Sequence, residues 1–277
     1  MTIGIGVVCE GVKYVLLCAD MRSTVKTRKG PIHNDWVGKM FEVSSHCCAC
    51  TADNMSWTQS VGSHLCRNVS QLSPENRTLD AITKCLEDAH EAVWLRYVNY
   101  KLRPLGISRS EYISSGKKIR PDLLEKAEAI VGDAIRLPVE MIIGGYWGKR
   151  PIFLKYSGLA DNIVLDPAGG SGMFTIGSGS VLAFEALAKR GQNIHNSIQR
   201  SLFNVCEAKV AAEKEPSGSV GPNTQVLMVS EAGLIPLNAA NIGTWYQQMS
   251  KDFKELDAEQ FMQLICQKSA LEAGGAS

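Results

Sequence analysis

No apolar run in this chain approaches the thickness of a bilayer. Stretches such as Val15–Ala19 and Met141–Ile143 fall far short of the roughly 20 residues that a spanning helix needs. There is no excess of charge either: 29 Lys and Arg stand against 28 Asp and Glu, a formal net charge of +1. No global field therefore recruits nucleic acid or anionic lipid, and neither a nucleic-acid partner nor a membrane is expected. The opening residues Met1 to Gly6 carry no basic leader, and the acidic Glu10 follows soon after, which does not read as a secretory signal. A cytoplasmic location is the expectation. The nine cysteines are odd in number and scattered mostly through apolar stretches, so no disulfide framework is implied. The cluster Cys47-Cys48-Ala49-Cys50 has no second ligand pair at metal spacing, the five histidines show none, and no Gly-Lys-Ser/Thr phosphate loop occurs. No metal and no cofactor are called for.

What is present is enough apolar sequence for a sizeable core: 277 residues at 45% hydrophobic content exclude disorder across the whole chain. Two β-rich runs, Ile3–Val8 and Val12–Ala19, flank a hairpin turn, and the second is apolar on both faces, as a strand between two layers must be. A basic, Gly/Pro-marked loop is expected over Lys26–Asn34, then a strand pair at Met40–Val43 and Cys47–Thr51. Asp53 is placed to cap a helix carrying Trp57, Val61, Leu65 and Val69; a second, from near Thr78, carries Ile82, Leu86, Ala89, Val93 and Tyr97. Residues 103–137 read as an insertion, a polar loop over Ser108–Arg120 followed by a short helix from Pro121. Strands return at Val139–Trp147, Pro151–Tyr156, Asn162–Leu165 and Met173–Ile176. Helices follow, one with a stripe of Val181, Phe184, Leu187 and Ala188 and one with Ile194, Ile198, Leu202 and Val205. A hairpin of Gln225–Val229 and Leu234–Leu237 precedes a helical extension at about 240–277. Strands in hairpin clusters separated by helix pairs predict an α+β fold. Its form would be a four-layer αββα sandwich of two antiparallel sheets flanked by helix pairs, and a doubly wound parallel sheet fits worse.

Chemistry could begin at the second residue. If Met1 is removed, Thr2 carries both a hydroxyl nucleophile and an α-amine that titrates near 7.7 to 8, so one residue supplies nucleophile and base. Around it lie Thr2-Ile-Gly-Ile-Gly-Val-Val, then Ala19-Asp20-Met21-Arg22-Ser23-Thr24, then Gly38-Lys39-Met40-Phe41-Glu42-Val43. Later come Ala168-Gly169-Gly170-Ser171 and Thr175-Ile176-Gly177-Ser178-Gly179-Ser180. This series resembles the β-type subunits of the 20S proteasome and the related bacterial heat-shock-locus peptidase, N-terminal-nucleophile hydrolases. The resemblance covers about 2–100 and 139–238 of one domain spanning 1–277.

The resemblance implies a threonine-type endopeptidase with Thr2 as nucleophile, Asp20 ending the second strand, and Lys39 as a buried cation beside them. Ser178 would support the threonine amine, with Ser219 as its further partner. It implies substrate contacts from Arg22 and from the backbone of Thr24, and an oxyanion donor at Cys50, where the family usually has glycine. It also implies peptide or unfolded-protein substrates, a homo-oligomeric ring or stack, and an ATP-dependent unfoldase as partner. Two other readings stand beside it: a small-molecule amidase of the same superfamily, and a non-catalytic structural subunit of such an assembly. Alone, Asp20 reads equally as a turn residue, Lys39 as a solvated lysine, and Gly177–Ser180 as a capping turn.

Overall fold

The computed structural model describes residues 2–27, 30–73, 76, 78–115, 119–134, 137–147, 150–158, 162–165 and 171–266. Met1, Gly148 and Lys149, the Ala168-Gly169-Gly170 segment and the chain beyond Cys266 lie outside them. In chain order the elements are β1 (Ile3–Cys9), β2 (Tyr14–Asp20), β3 (Ser23–Thr27), β4 (Gly30–Asn34), β5 (Met40–Ser44) and β6 (Cys47–Asp53). Then come α1 (Met55–Ser70), α2 (Leu79–Leu102), a 3₁₀ turn (Arg103–Leu105), α3 (Arg109–Ser115) and α4 (Pro121–Ala134). Next are β7 (Val139–Trp147), β8 (Arg150–Ser157), β9 (Asn162–Leu165), β10 (Met173–Gly177), α5 (Ser180–Lys189) and α6 (Ile198–Ala212). The described chain closes with β11 (Thr224–Ser230), β12 (Gly233–Leu237), α7 (Ala239–Met249) and α8 (Ala258–Cys266). The fold is thus α+β with antiparallel sheets, and among the described residues no helix is long and apolar enough to cross a membrane.

The chain divides into two compact units, one of Met1–Asp53, Met141–Lys155 and Val164–Ser277, the other of Asn54–Glu140 and Tyr156–Ile163. The first unit holds the five-stranded sheet β10-β1-β2-β11-β12, in which each neighbouring pair is antiparallel. Side-chain alternation along its central strands sorts two cores. From β1 and β2, Ile3, Ile5, Val7, Leu16 and Cys18 pack with Leu187, Leu202, Phe203, Trp245 and Phe261 of the helices. Val15, Leu17 and Ala19 turn the other way and meet Cys48, Cys50, Ala52, Ile142 and Phe153 of the second sheet, whose strand order is β5-β6-β7-β8-β9. This is the two-sided burial that the doubly apolar β2 run predicts. On the inter-sheet side of β1, a Cβ at Gly6 would lie 2.8 Å from Ile142 and 2.9 Å from Phe153, so the glycine is what lets the sheets approach.

Three local expectations change. The stretch read as a loop over Lys26–Asn34 instead contributes the end of β3 and all of β4, a two-stranded hairpin paired from Ser23↔Asn34 to Thr27↔Gly30. Backbone pairing needs no apolar alternation, so hydropathy gives no sign of it. In α5 the buried residues are Ala183 and Leu187, while Val181 is 65% and Phe184 43% exposed. That helix is apolar nearly all round, so periodicity does not select the face; the small Ala183 does, by allowing close approach. The cap of α1 is Asn54, whose side chain accepts from Trp57 N at 3.3 Å, and Asp53 takes a left-handed φ of 75°.

In the second unit α1 buries Val61, Leu65 and Val69, and α2 buries Ile82, Leu86, Ala89, Val93 and Tyr97, the stripe that spacing predicts. Thr78 caps α2 through Ala81 N at 3.2 Å. The Ser108–Arg120 stretch, expected as a loop, forms α3 over Arg109–Ser115. Ser108 and Glu111 make a reciprocal capping box: Glu111 Oε2 accepts from Ser108 N at 2.8 Å, and Ser108 Oγ accepts from Glu111 N at 3.2 Å. This doubly bonded N-terminus supports a helix in a polar sequence that has no apolar stripe.

Candidate active site

Three chain segments converge where β1 begins, all within the first unit. Thr2 precedes β1 and is 2% exposed. Asp20, the last residue of β2, is fully buried, because the register Gly4↔Ala19 carries it alongside Ile3. Lys39 directly precedes β5; its carbonyl is clamped by Thr51, whose N–H and Oγ1 both donate to it at 3.0 Å. That clamp aims a 4% exposed lysine inward.

Lys39 Nζ donates to Asp20 Oδ1 at 2.9 Å, and to Thr2 Oγ1 and the Arg22 carbonyl. All three ammonium protons are thereby engaged. Thr2 Oγ1 accepts from Lys39 and donates its own proton to Asp20 Oδ1. The carboxylate is further held by Ile3 N–H at 2.9 Å on Oδ1, and by Arg22 N–H and Gly221 N–H, each at 3.0 Å, on Oδ2. Five donors on one carboxylate fix both its charge and its rotamer. Burial draws the Lys39 pKa below its ordinary value, with Asp20 pulling it back up and Lys209 and Arg22 adding to the lowering. A hydroxyl between a carboxylate and a lysine disposed to lose its proton is a polarised nucleophile.

The far side of Thr2 is lined from β10 onward. Ile3 pairs with Gly177, so the next residue, Ser178, lies beside Thr2, and its Oγ donates to the Thr2 carbonyl at 3.4 Å. Gly177 adopts φ 88°, and a Cβ there would collide with the Thr2 carbonyl. Only glycine permits this approach. From Ser178 a chain of hydroxyls runs outward: Ser178 and Ser219 Oγ lie 2.7 Å apart, and Ser219 Oγ donates to Glu215 Oε2 at 3.1 Å. Ser217 Oγ also donates to Glu215, and together these hydroxyls hold its carboxyl below the usual range, Ser217 contributing most.

Thr2, Asp20, Lys39, Ser178 and Ser219, drawn from five places in the sequence, are therefore brought together. The three residues expected to meet substrate are placed differently. The Arg22 guanidinium is engaged in a bidentate pair with Asp35, at 2.6 and 2.9 Å, and in a bond to the Gly218 carbonyl at 2.8 Å. Thr24 sits on the β3–β4 hairpin, its Oγ1 3.0 Å from His33 Nδ1. Cys50 is a mid-strand residue of β6, fully buried in the inter-sheet core, where burial pushes its thiol pKa far up. It lies within the strand expected over Cys47–Thr51. Sequence reasoning left Glu215 unassigned and passed over Lys209 and Gly221. Lys209 and its neighbour Glu213 have the i,i+4 spacing of a solvated helix pair, which hides the fact that Lys209 is 4% exposed.

Among the described residues no group of three or more His, Cys, Asp or Glu side chains is gathered as a metal-binding set, and no disulfide joins any of the nine cysteines. No protein-family model and no curated protein matches this chain.

Proposed function

We propose that this chain is a threonine-type endopeptidase of the proteasome β-subunit kind, acting through Thr2 once the residue before it has been removed. The observation that carries the reading is the buried contact in which Lys39 Nζ meets both Thr2 Oγ1 and the Asp20 carboxylate. In the mechanism we infer, Thr2 Oγ1 attacks the scissile carbonyl carbon and its proton passes to the freed α-amine. That ammonium then protonates the leaving amine as the C–N bond breaks, leaving an ester on Thr2. Water, deprotonated by the same amine, attacks the ester and regenerates the hydroxyl. Lys39 supports charge on Oγ1, Asp20 holds Lys39 in place, and Ser178 with Ser219 steadies the Thr2 backbone and its amine. In this reading the fold is the four-layer αββα sandwich of N-terminal-nucleophile hydrolases, the substrate is peptide or unfolded protein, and identical subunits close into a ring or stack fed by an ATP-dependent unfoldase.

The test is a set of fluorogenic peptides and small acyl-amides given to wild type and Thr2→Ala, with intact-mass analysis of the N-terminus. Peptide cleavage that requires Thr2, on a chain starting at Thr2, supports the proposal. Amide turnover without peptide cleavage moves the assignment to a small-molecule amidase. A retained Met1 with no turnover makes the chain a structural subunit. Negative-stain images of the native particle test the ring.

A further inference from the structure

Behind Asp20, on the side away from Thr2, lies a second buried ammonium. Lys209 is in α6, 4% exposed, and its Nζ donates to the Gly221 carbonyl at 2.6 Å and to Glu213 Oε1 at 2.5 Å. Gly221 in turn donates its N–H to Asp20 Oδ2 at 3.0 Å. One residue of the 213–223 connection is thus gripped from both ends, by a lysine on its carbonyl and by the site carboxylate on its amide. The grip is tight because Gly221 packs against the Arg22–Asp35 pair: a Cβ there would stand 2.5 Å from Arg22 Cβ and 2.9 Å from Asp35 Oδ1. A lysine withdrawn from water for the sake of one carbonyl and a half-exposed glutamate is a costly arrangement, and a helix–loop junction does not require one.

We propose that Lys209 is a positioning residue of the Thr2 site: it anchors Gly221, and through the Gly221 amide it fixes the Asp20 carboxylate that holds Lys39. The proposal rests on the peptidase reading only for its kinetic consequence. Its structural content, a Lys209–Gly221–Asp20–Lys39 chain, stands apart from any reaction. The chain has an electrostatic side as well, since the Lys209 charge is among the influences that lower the Lys39 pKa. Among the described residues, charged or titratable groups bearing on Lys39 are Asp20, Arg22, Asp35 and Lys209; those bearing on Lys209 are Glu213 and the buried thiols Cys18 and Cys206.

The experiment compares wild type, Lys209→Gln and Lys209→Met, each carrying ¹³Cε-labelled lysine, with the Lys39 signal assigned by its loss in Lys39→Arg. Gln keeps a donor for the Gly221 carbonyl without the charge, and Met keeps neither. In both variants the Lys39 midpoint is expected to rise, because a neighbouring positive charge is gone; a rise of about one pH unit corresponds to a tenfold change in the protonated-to-neutral ratio. Hydrogen exchange at the Gly221 amide is expected to quicken in Met and to stay near wild type in Gln. Where Thr2-dependent cleavage exists, kcat falls in Met with KM unchanged, and the alkaline limb, set by loss of the Lys39 proton, moves to higher pH in both variants. An unchanged Lys39 midpoint together with an unchanged Gly221 exchange rate, in folded Lys209→Met, overturns the proposal. Wild type without Thr2-dependent cleavage overturns the peptidase reading alone, because the midpoint and exchange measurements need no turnover. Should Met fail to fold, Gln decides the midpoint.

Discussion

Replacing Asp20 with Asn exchanges one oxygen for an NH₂ at a fully buried site and leaves the shape nearly intact. The carboxylate accepts from Thr2, Ile3 and Lys39 on one oxygen and from Arg22 and Gly221 on the other. Whichever way the new amide turns, its NH₂ faces N–H donors, and Lys39, 3% exposed along its side chain, loses its counter-charge. Breaking a buried ion pair costs roughly 3–5 kcal/mol, and each stranded backbone donor adds about 1–3 kcal/mol. Against a total stability of about 5–15 kcal/mol this is severe, and at about 2–4 °C per kcal/mol it lowers Tm by roughly 6–20 °C. The assay is urea unfolding and a thermal scan of Asp20→Asn beside wild type, with Asp20→Leu/Lys39→Met as a third protein. The double variant removes both charges and is expected to recover the ion-pair part of the loss, while the Ile3, Arg22 and Gly221 N–H groups stay without their acceptor. A pH series adds a sign. Burial already holds the Lys39 pKa below 10.5, with Asp20 opposing it. Without Asp20 the folded value falls further, so the unfolded chain binds the extra proton between that lowered value and 10.5, and stability rises with pH across the window. The deficit of Asp20→Asn is therefore largest in mildly acidic buffer and smaller near pH 9. An Asp20→Asn protein within about 1 kcal/mol of wild type at pH 6 would refute the claim that this carboxylate is the electrostatic hub of the first unit.

Two further predictions concern backbone and thiols. Gly177→Ala, at φ 88° and against the Thr2 carbonyl, is expected to lose well over the roughly 1–2 kcal/mol that a left-handed residue alone costs, whereas Gly191→Ala, at φ 65° with open space around it, loses only about that amount; equal urea midpoints for the two would contradict the collision. Cys9 and Cys18 have thiols pushed up to about 12, which leaves about one thiolate in ten thousand at pH 8. Native protein treated with iodoacetamide is expected to carry the label at the exposed Cys266 and to leave Cys9 and Cys18 free of it until unfolded, as peptide mass mapping would read directly.

The sheet strands were legible because their signals are physical and strong. β2 is apolar on both faces and is buried on both, and the α2 stripe from Ile82 to Tyr97 is the buried face. The candidate site was legible where a residue is tied to an element's end: Asp20 closes β2, Lys39 precedes β5 and Ser178 follows β10. Elsewhere the controlling interaction leaves no mark on local composition. The β3–β4 hairpin is held by backbone pairing, α3 by the Ser108–Glu111 box, and the face of α5 by how closely Ala183 can approach. Lys209 carries the pattern of a solvent-facing ion pair, and only the return of the chain at Gly221 turns it inward. Arg22 shows the converse. A lone arginine near a candidate nucleophile reads either as a substrate contact or as half of an ion pair, and which carboxylate it takes, Asp35, becomes visible only after the hairpin has folded back.

Strand β1 is an inner strand of its sheet, with Gly177 across from Ile3 on one side and the β2 strand, itself waiting for Thr224 opposite Asp20, on the other. During synthesis the β1–β2 hairpin must therefore persist with both flanks unsatisfied until β10 and then β11 are made, a delay of roughly 10–40 s at ordinary elongation rates. Throughout that interval its bare margins can template association with other nascent copies, which makes holdase capture of the early hairpin the step on which yield depends. The same order of events acts as a safeguard, because Ser178, Ser219 and Gly221 join Thr2 only after the intervening strands and helices have been made.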